Sequence, residues 1–155
     1  MSCRMAPVLM LLALACGGGP GSAVPADVAP TPEAAVRNFM QAVADSNITR
    51  MGRYWGTSRG PASLTHQPAD YVQRLEVTQA FLRQSPFRIL GSNTEPDQPD
   101  RQAVRVEFTR TDLDGKSCAR VTSMAVIRTG DQGWIITAID LTNVGTPGRA
   151  CTSSS

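Results

Sequence analysis

The sequence predicts an α+β domain: three N-terminal helices packed on a curved, mainly antiparallel sheet of about four strands, in a cone-like arrangement. Three observations predict it. Apolar residues recur at helical spacing between Val36 and Leu82. After Pro86 the apolar period shortens to two, as in half-buried strands. An Asp114-Gly115 pair lies between two alternating runs, which is a strong local signal for a hairpin. Helices followed by a run of strands make an α+β order, and 155 residues allow one such domain.

Residues 1–15 carry the three parts of an export signal. Arg4 gives a positive start, Ala6 to Leu14 an apolar stretch, and Ala13-Leu14-Ala15 an A-x-A site. The apolar run is about half of the roughly 20 residues that a spanning helix needs, so a removed leader is expected and not a membrane span. Cys16 follows directly. "ALAC" resembles the lipobox of bacterial lipoproteins, with Ala13 where Leu is usual. That resemblance implies cleavage before Cys16, acylation of the cysteine by palmitate-like chains, and a membrane-anchored mature terminus. Gly17 in place of an acidic residue implies the outer membrane of a bacterium that has two. Plain secretion with cleavage at the same bond, leaving the protein secreted or periplasmic, is the alternative. Residues 16–31, rich in Gly, Pro and Ala and almost uncharged, read as a flexible tether.

The domain is expected over residues 32–146. Thr31 caps a first helix, Pro32 occupies its first turn and Glu33 suits the positive end of its dipole. Val36, Phe39, Met40 and Val43 make one apolar stripe. Asp45-Ser46-Asn47 stops this helix and caps a second, whose Ile48, Met51 and Trp55 share a face. "TSRGPASLTHQP" reads as a loop. Pro68 starts a third helix with Tyr71, Leu75 and Leu82 on one face, widened by Val77 and Phe81.

"FRIL" is then a short strand and "TEPDQPDR" a loop. "AVRVEFTRT" alternates, with Val104, Val106 and Phe108 on one side. A two-residue turn at Asp114-Gly115 would set Phe108 opposite Val121 and Val104 opposite Ala125. "CARVTSMAVIRT" turns at "GDQG" into "WIITAIDLTN", and residues 147–155 form a polar tail.

The order from "TPEAAVRNFMQAVADSNITRMGRYW" to "GWIITAIDL" resembles the nuclear transport factor 2-like superfamily over residues 31–143. The resemblance implies helices lying in the hollow of a strongly curved sheet, with a pocket inside the cone. It leaves function open, because that fold hosts dehydratases, isomerases, cyclases and proteins with no chemistry.

Fifteen basic against thirteen acidic residues are near balance and scattered, so charge points to no nucleic-acid partner. His66 is the one histidine and has no companion at ligand spacing, so no metal site and no cofactor are expected. As a general base it lacks an identifiable partner. "GTSRG" at 56–60 lacks the Gly-Lys-Ser/Thr ending of a phosphate loop. Arg50, Arg53 and Arg59 beside Tyr54 and Trp55 could bind an anion or a base, but helical amphipathicity already explains Trp55 as core and the arginines as solvated. Asp140 depends on register. With Trp134, Ile136 and Ala138 inward it enters the pocket, where burial would raise its pKa; with Ile135, Ile139 and Leu141 inward it is solvated.

The leader takes Cys3 with it, and acylation would occupy Cys16. Cys118 and Cys151 remain, in an oxidising compartment that favours pairing over two free thiols. The expected protein is an exported, membrane-anchored, non-catalytic binding or envelope-associated module, with a small-molecule pocket lined by Phe39, Trp55, Tyr71 and Phe108. Two alternatives stay open. One is a small isomerase- or dehydratase-type enzyme using Asp140 or His66 with Tyr54 or Tyr71. The other is an oligomerising structural domain using the outer sheet face. The expected partners are the membrane, an unidentified small molecule or envelope protein, and a second copy in a homodimer.

Overall fold

A computed structural model describes residues 28–151. The leader, Cys16 and most of the tether lie outside the described residues. No helix within them is long and apolar enough to cross a membrane. The fold is α+β, with helices against one face of a four-stranded antiparallel sheet and a second, two-stranded sheet beside it.

Helix α1 (Pro32–Ala44) begins as its sequence dictates: Thr31 Oγ1 accepts a hydrogen bond from the Ala34 amide at 3.1 Å, and Pro32 needs no partner there. Val36, Phe39, Met40 and Val43 are buried, so the stripe faces the core. Helix α2 (Ile48–Tyr54) is capped by Asn47 Oδ1, which accepts from the Arg50 amide at 2.9 Å. Tyr54 fills the core, whereas Trp55 lies just past the helix end in extended backbone and is half-buried. The expected Ile48–Met51–Trp55 face packs on the core, with Met51 buried and Ile48 and Trp55 half-buried, and Tyr54 is added to it.

The expected loop after α2 is structured. Strands β1 (Gly56–Thr57) and β2 (Gly60–Pro61) form a small hairpin, followed by a short helix α3 (Ala62–Thr65). Its Gly, Pro and Ser content reflects a tight turn, not an absence of structure. Helix α4 (Tyr71–Leu82) buries only Leu75 and Leu82, two turns apart, and Val77 is half exposed instead of widening the apolar face.

The large sheet has the order β3 (Phe87–Glu95), β4 (Gln98–Thr111), β5 (Ser117–Arg128), β6 (Trp134–Ile139), a plain meander. The "TEPDQPDR" segment is mostly strand, turning at Pro96-Asp97, where Asp97 has a positive φ of 62°. It is polar because this end of the ribbon is exposed on both sides: residues 96–101 all face water.

The β4–β5 turn also departs from expectation. The Asp112 amide donates to Lys116 O at 2.9 Å, and the Gly115 amide donates to Asp112 O at 3.0 Å. Three residues, Leu113 to Gly115, therefore make the connection, with Gly115 at φ 81°. One extra residue shifts the pairing by one. Phe108 faces Arg120 and Val104 faces Met124, in place of Val121 and Ala125. Thr122, Met124 and Val126 consequently point to the core, while Val121 is exposed.

On β6 a bulge resolves the register question. Val126 pairs with Ile136 and Ala125 with Ala138, so Thr137 is the extra residue. Trp134 and Ile136 belong to the core before it, and Ile139 packs against the core after it. Neither uniform register holds. Asp140 leaves the strand and caps a short helix α5 (Leu141–Val144).

Both domain ends extend past the expected limits. Ala29, in the stretch read as tether, is buried, and its carbonyl accepts from the Trp134 amide at 3.0 Å. Gly133 permits this approach, because it sits at φ 70° and a Cβ there would lie 2.4 Å from Ala29 O. At the other end Ala150 and Cys151 are buried, and Cys151 is joined to Cys118 by a disulfide with Cα atoms 5.5 Å apart.

Candidate functional site

Helix α4 rests on the core through buried Leu75 and Leu82 and half-buried Tyr71, which leaves a gap between the rest of it and the bulged end of β6. This groove has a volume of about 510 Å³. Its apolar surface comes from Trp55, Val77, Ala138, Ile139 and Leu141, and its polar rim from Asp70, Gln73, Arg74, Thr78 and Thr137. The bulge has a direct consequence here, because it brings Ile139 to the helix side and leaves Thr137 and Ala138 beside it.

The rim is electrically quiet. Arg74 Nε donates to Asp70 Oδ1 at 2.9 Å and to Oδ2 at 3.0 Å, one turn apart on the helix. That hydrogen bond, aided by the arginine's charge and opposed by desolvation, holds the Asp70 carboxyl below its ordinary range. Thr78 Oγ1 donates to Arg74 O at 2.9 Å, and Thr137 Oγ1 donates to Ala125 O at 3.3 Å. Both hydroxyls thus keep only acceptor capacity for a ligand. The groove can take an amphipathic molecule, with its apolar body on Trp55 and Val77 and its donors toward the two threonines.

Of the pocket-lining candidates, Trp55 lines this groove. Phe39 and Phe108 are fully buried in the packed core, and Tyr71 is half-buried against it. The candidate bases lie elsewhere. Asp140 is exposed; its Oδ1 accepts from the amides of Thr142 and Asn143 at 3.1 and 3.2 Å, and its Oδ2 accepts from Asn143 Nδ2 at 2.6 Å. These are the bonds of a helix cap. His66 is exposed at the end of α3 with φ 53°, and its ring lies 6.2 Å from that of Tyr71, tilted by 52°. Tyr54 is sealed in the core. No group of three or more His, Cys, Asp or Glu among the described residues could hold a metal.

A second polar cluster escaped sequence reasoning. Arg110 and Asp112 are both buried, although charged. Arg110 Nη1 donates to Phe81 O at 2.8 Å and also to Ser85 Oγ, and Nη2 reaches Gly145 O at 3.4 Å. Desolvation lowers the Arg110 pKa, with Asp112 opposing the shift. Asp112 in turn accepts the Cys151 amide with both oxygens at 3.0 Å. The signal was present in the strand period, since Arg110 and Asp112 continue the inward parity of Val104, Val106 and Phe108. The cluster ties the chain end to β4 and β5 and has a structural role.

The cap reading of Asp140 has a measurable consequence. Asn keeps a capping oxygen and Ala does not, so Asp140→Ala should cost about 1 kcal/mol and Asp140→Asn only a few tenths. Urea denaturation midpoints check the difference. Equal losses in the two variants would contradict the cap assignment. His66→Ala, at an exposed position, should leave the midpoint unchanged within about 0.5 kcal/mol.

No family model and no curated protein matches the chain. Among solved structures it is similar to a Xanthomonas campestris protein described as a calcium/calmodulin-dependent protein kinase II association domain. The two share 15% identity over 70% of this chain and 85% of the other, with a TM-score of 0.42.

Proposed function

We propose that this chain is an exported, lipid-anchored binding module of the nuclear transport factor 2-like type, which holds a small amphipathic molecule in the α4–β6 groove without transforming it. The observation that carries the reading is the groove itself, open and apolar on one wall with an acceptor rim. Catalysis has no comparable support. Asp140 is committed to a helix cap, and neither Asp140 nor His66 lines the groove. The "ALAC" end of the leader supports anchorage through Cys16, at the outer membrane where there are two. The almost uncharged tether supports a domain held off that surface.

The groove can be tested with anilinonaphthalene sulfonate, a fluorescent amphiphile. The full chain should bind it saturably, with one molecule per chain. Val77→Glu places on the apolar wall, at a half-exposed position, a negative charge that repels the sulfonate, so it should weaken binding at least about tenfold without lowering the melting temperature. Binding indifferent to Val77→Glu would remove the groove as the ligand site. Mass spectrometry of small molecules retained by the purified chain would then identify the natural class.

A further inference from the structure

We propose a second site, an oxyanion-binding cleft built by the β1–β2 turn, helix α3 and the β5–β6 turn, with Arg59 and Arg128 as its charged pair. The cleft has a volume of about 590 Å³ and shares no lining residue with the α4–β6 groove. Ser58, Arg59 and Leu64 stand on one side, and Arg128, Thr129 and Gln132 on the other.

Its two guanidiniums differ from those of the ion-paired arginines. Arg50, Arg74 and Arg88 each have a carboxylate at 3.1 Å or less. Arg59 and Arg128 come from separate elements, line one cleft, and are exposed. Neither forms an ion pair or a side-chain hydrogen bond among the described residues. Asp131, the acidic residue of the adjoining turn, does not line the cleft. Two unneutralised cations sharing a concave wall create a positive potential that an anion relieves.

The remaining chemistry narrows the ligand. The Arg59 amide donates to Thr57 Oγ1 at 3.2 Å, which fixes the turn that presents the side chain. Thr65 and Thr129 spend their hydroxyl protons on Pro61 O and Gly133 O. Ser58 Oγ and the Gln132 amide remain as neutral donors beside the guanidiniums. The fork geometry of arginine matches the oxygens of phosphate. The cleft is much larger than a phosphate ion, and Leu64, 62% exposed, gives it an apolar edge. An organic phosphate fits this combination: the phosphoryl group lies between Arg59 and Arg128 and the organic portion against Leu64.

Calorimetric titration of the full chain with glycerol phosphate and with inorganic phosphate tests the site. Glycerol phosphate should bind saturably, more tightly than inorganic phosphate and more weakly as salt rises. Arg59→Ala and Arg128→Ala should each lower its affinity about tenfold, with unchanged melting temperature. Flotation with vesicles of phosphatidylglycerol, or of phosphatidylcholine alone, distinguishes the source of the phosphate. Phosphatidylglycerol recruiting the wild-type chain beyond the double variant assigns the site to a lipid headgroup. Equal recruitment, with glycerol phosphate binding retained, assigns it to a soluble ester. Binding of neither ligand, or binding unaffected by the two substitutions, overturns the proposal.

Discussion

Replacing Cys118 and Cys151 together by Ser should lower stability by about 3–4 kcal/mol, the value the chain-entropy model gives a crosslink spanning 33 residues. For a domain of this size that corresponds to roughly 10–20 °C in melting temperature. The bridged segment contains β5, β6 and α5, so opening it frees that part of the unfolded chain. The bridge is not the sole tie. Leu113 N donates to Gly148 O at 3.1 Å, Arg120 Nε donates to Ala150 O at 2.7 Å, and Asp112 holds the Cys151 amide. Gly145, at φ 83°, lets the chain turn so that Ala150 packs against it, where a Cβ would stand 2.8 Å away. The double variant should therefore still fold, with the tail held by these bonds. Denaturant midpoints of the native and reduced protein give the measurement. Identical midpoints, or thiol labelling of both cysteines in the non-reduced, denatured protein, would show that the bridge contributes nothing.

The clasp also shows where the sequence was legible and where it was not. Its covalent part follows from cysteine count and compartment. Its polar part does not, because a buried carboxylate such as Asp112 resembles any turn residue until the chain end returns to meet it. Local grammar carried α1 completely: cap, first-turn proline and apolar stripe act within a few residues of one another. The sheet was legible as a meander but not in its register. Two single-residue events decided that, a three-residue turn at Leu113–Gly115 and a bulge at Thr137. Each moves side chains from one face to the other, and neither leaves a compositional trace. The groove depends on the second of them. Residue types named Trp55 as a lining candidate, but the spacing placed it on a helix face, and only the end of α2 at Tyr54 frees it to line the gap. Phe39 and Phe108 show the opposite error: a cone drawn as hollow is filled there by packed aromatic rings.

Expressed with its own leader in a bacterial host, the protein should begin at Cys16 and carry added acyl mass, and Cys16→Ser should move it from the membrane to the soluble fraction. The expectation rests on residues 1–16, where a pattern resembling an export signal, with an A-x-A site, runs directly into a cysteine. It is a large effect because it is close to all-or-none. Each buried CH₂ of an acyl chain contributes about 0.8 kcal/mol, so one chain binds reversibly while two or more hold firmly. No helix among the described residues is long and apolar enough to cross a membrane. Downstream, the segment read as a tether separates Cys16 from the domain. It ends where Ala29 docks beside Gly133, at the start of β6. Cys16→Ser should leave the melting temperature of the domain unchanged, because the first contact of the domain among the described residues, at Ala29, lies well beyond the substituted residue. Intact-mass analysis and membrane fractionation read the two outcomes separately. An unmodified Cys16 terminus in the wild-type protein would exclude the anchor and leave plain secretion, whereas membrane retention of Cys16→Ser would point to a contact made by the folded domain itself.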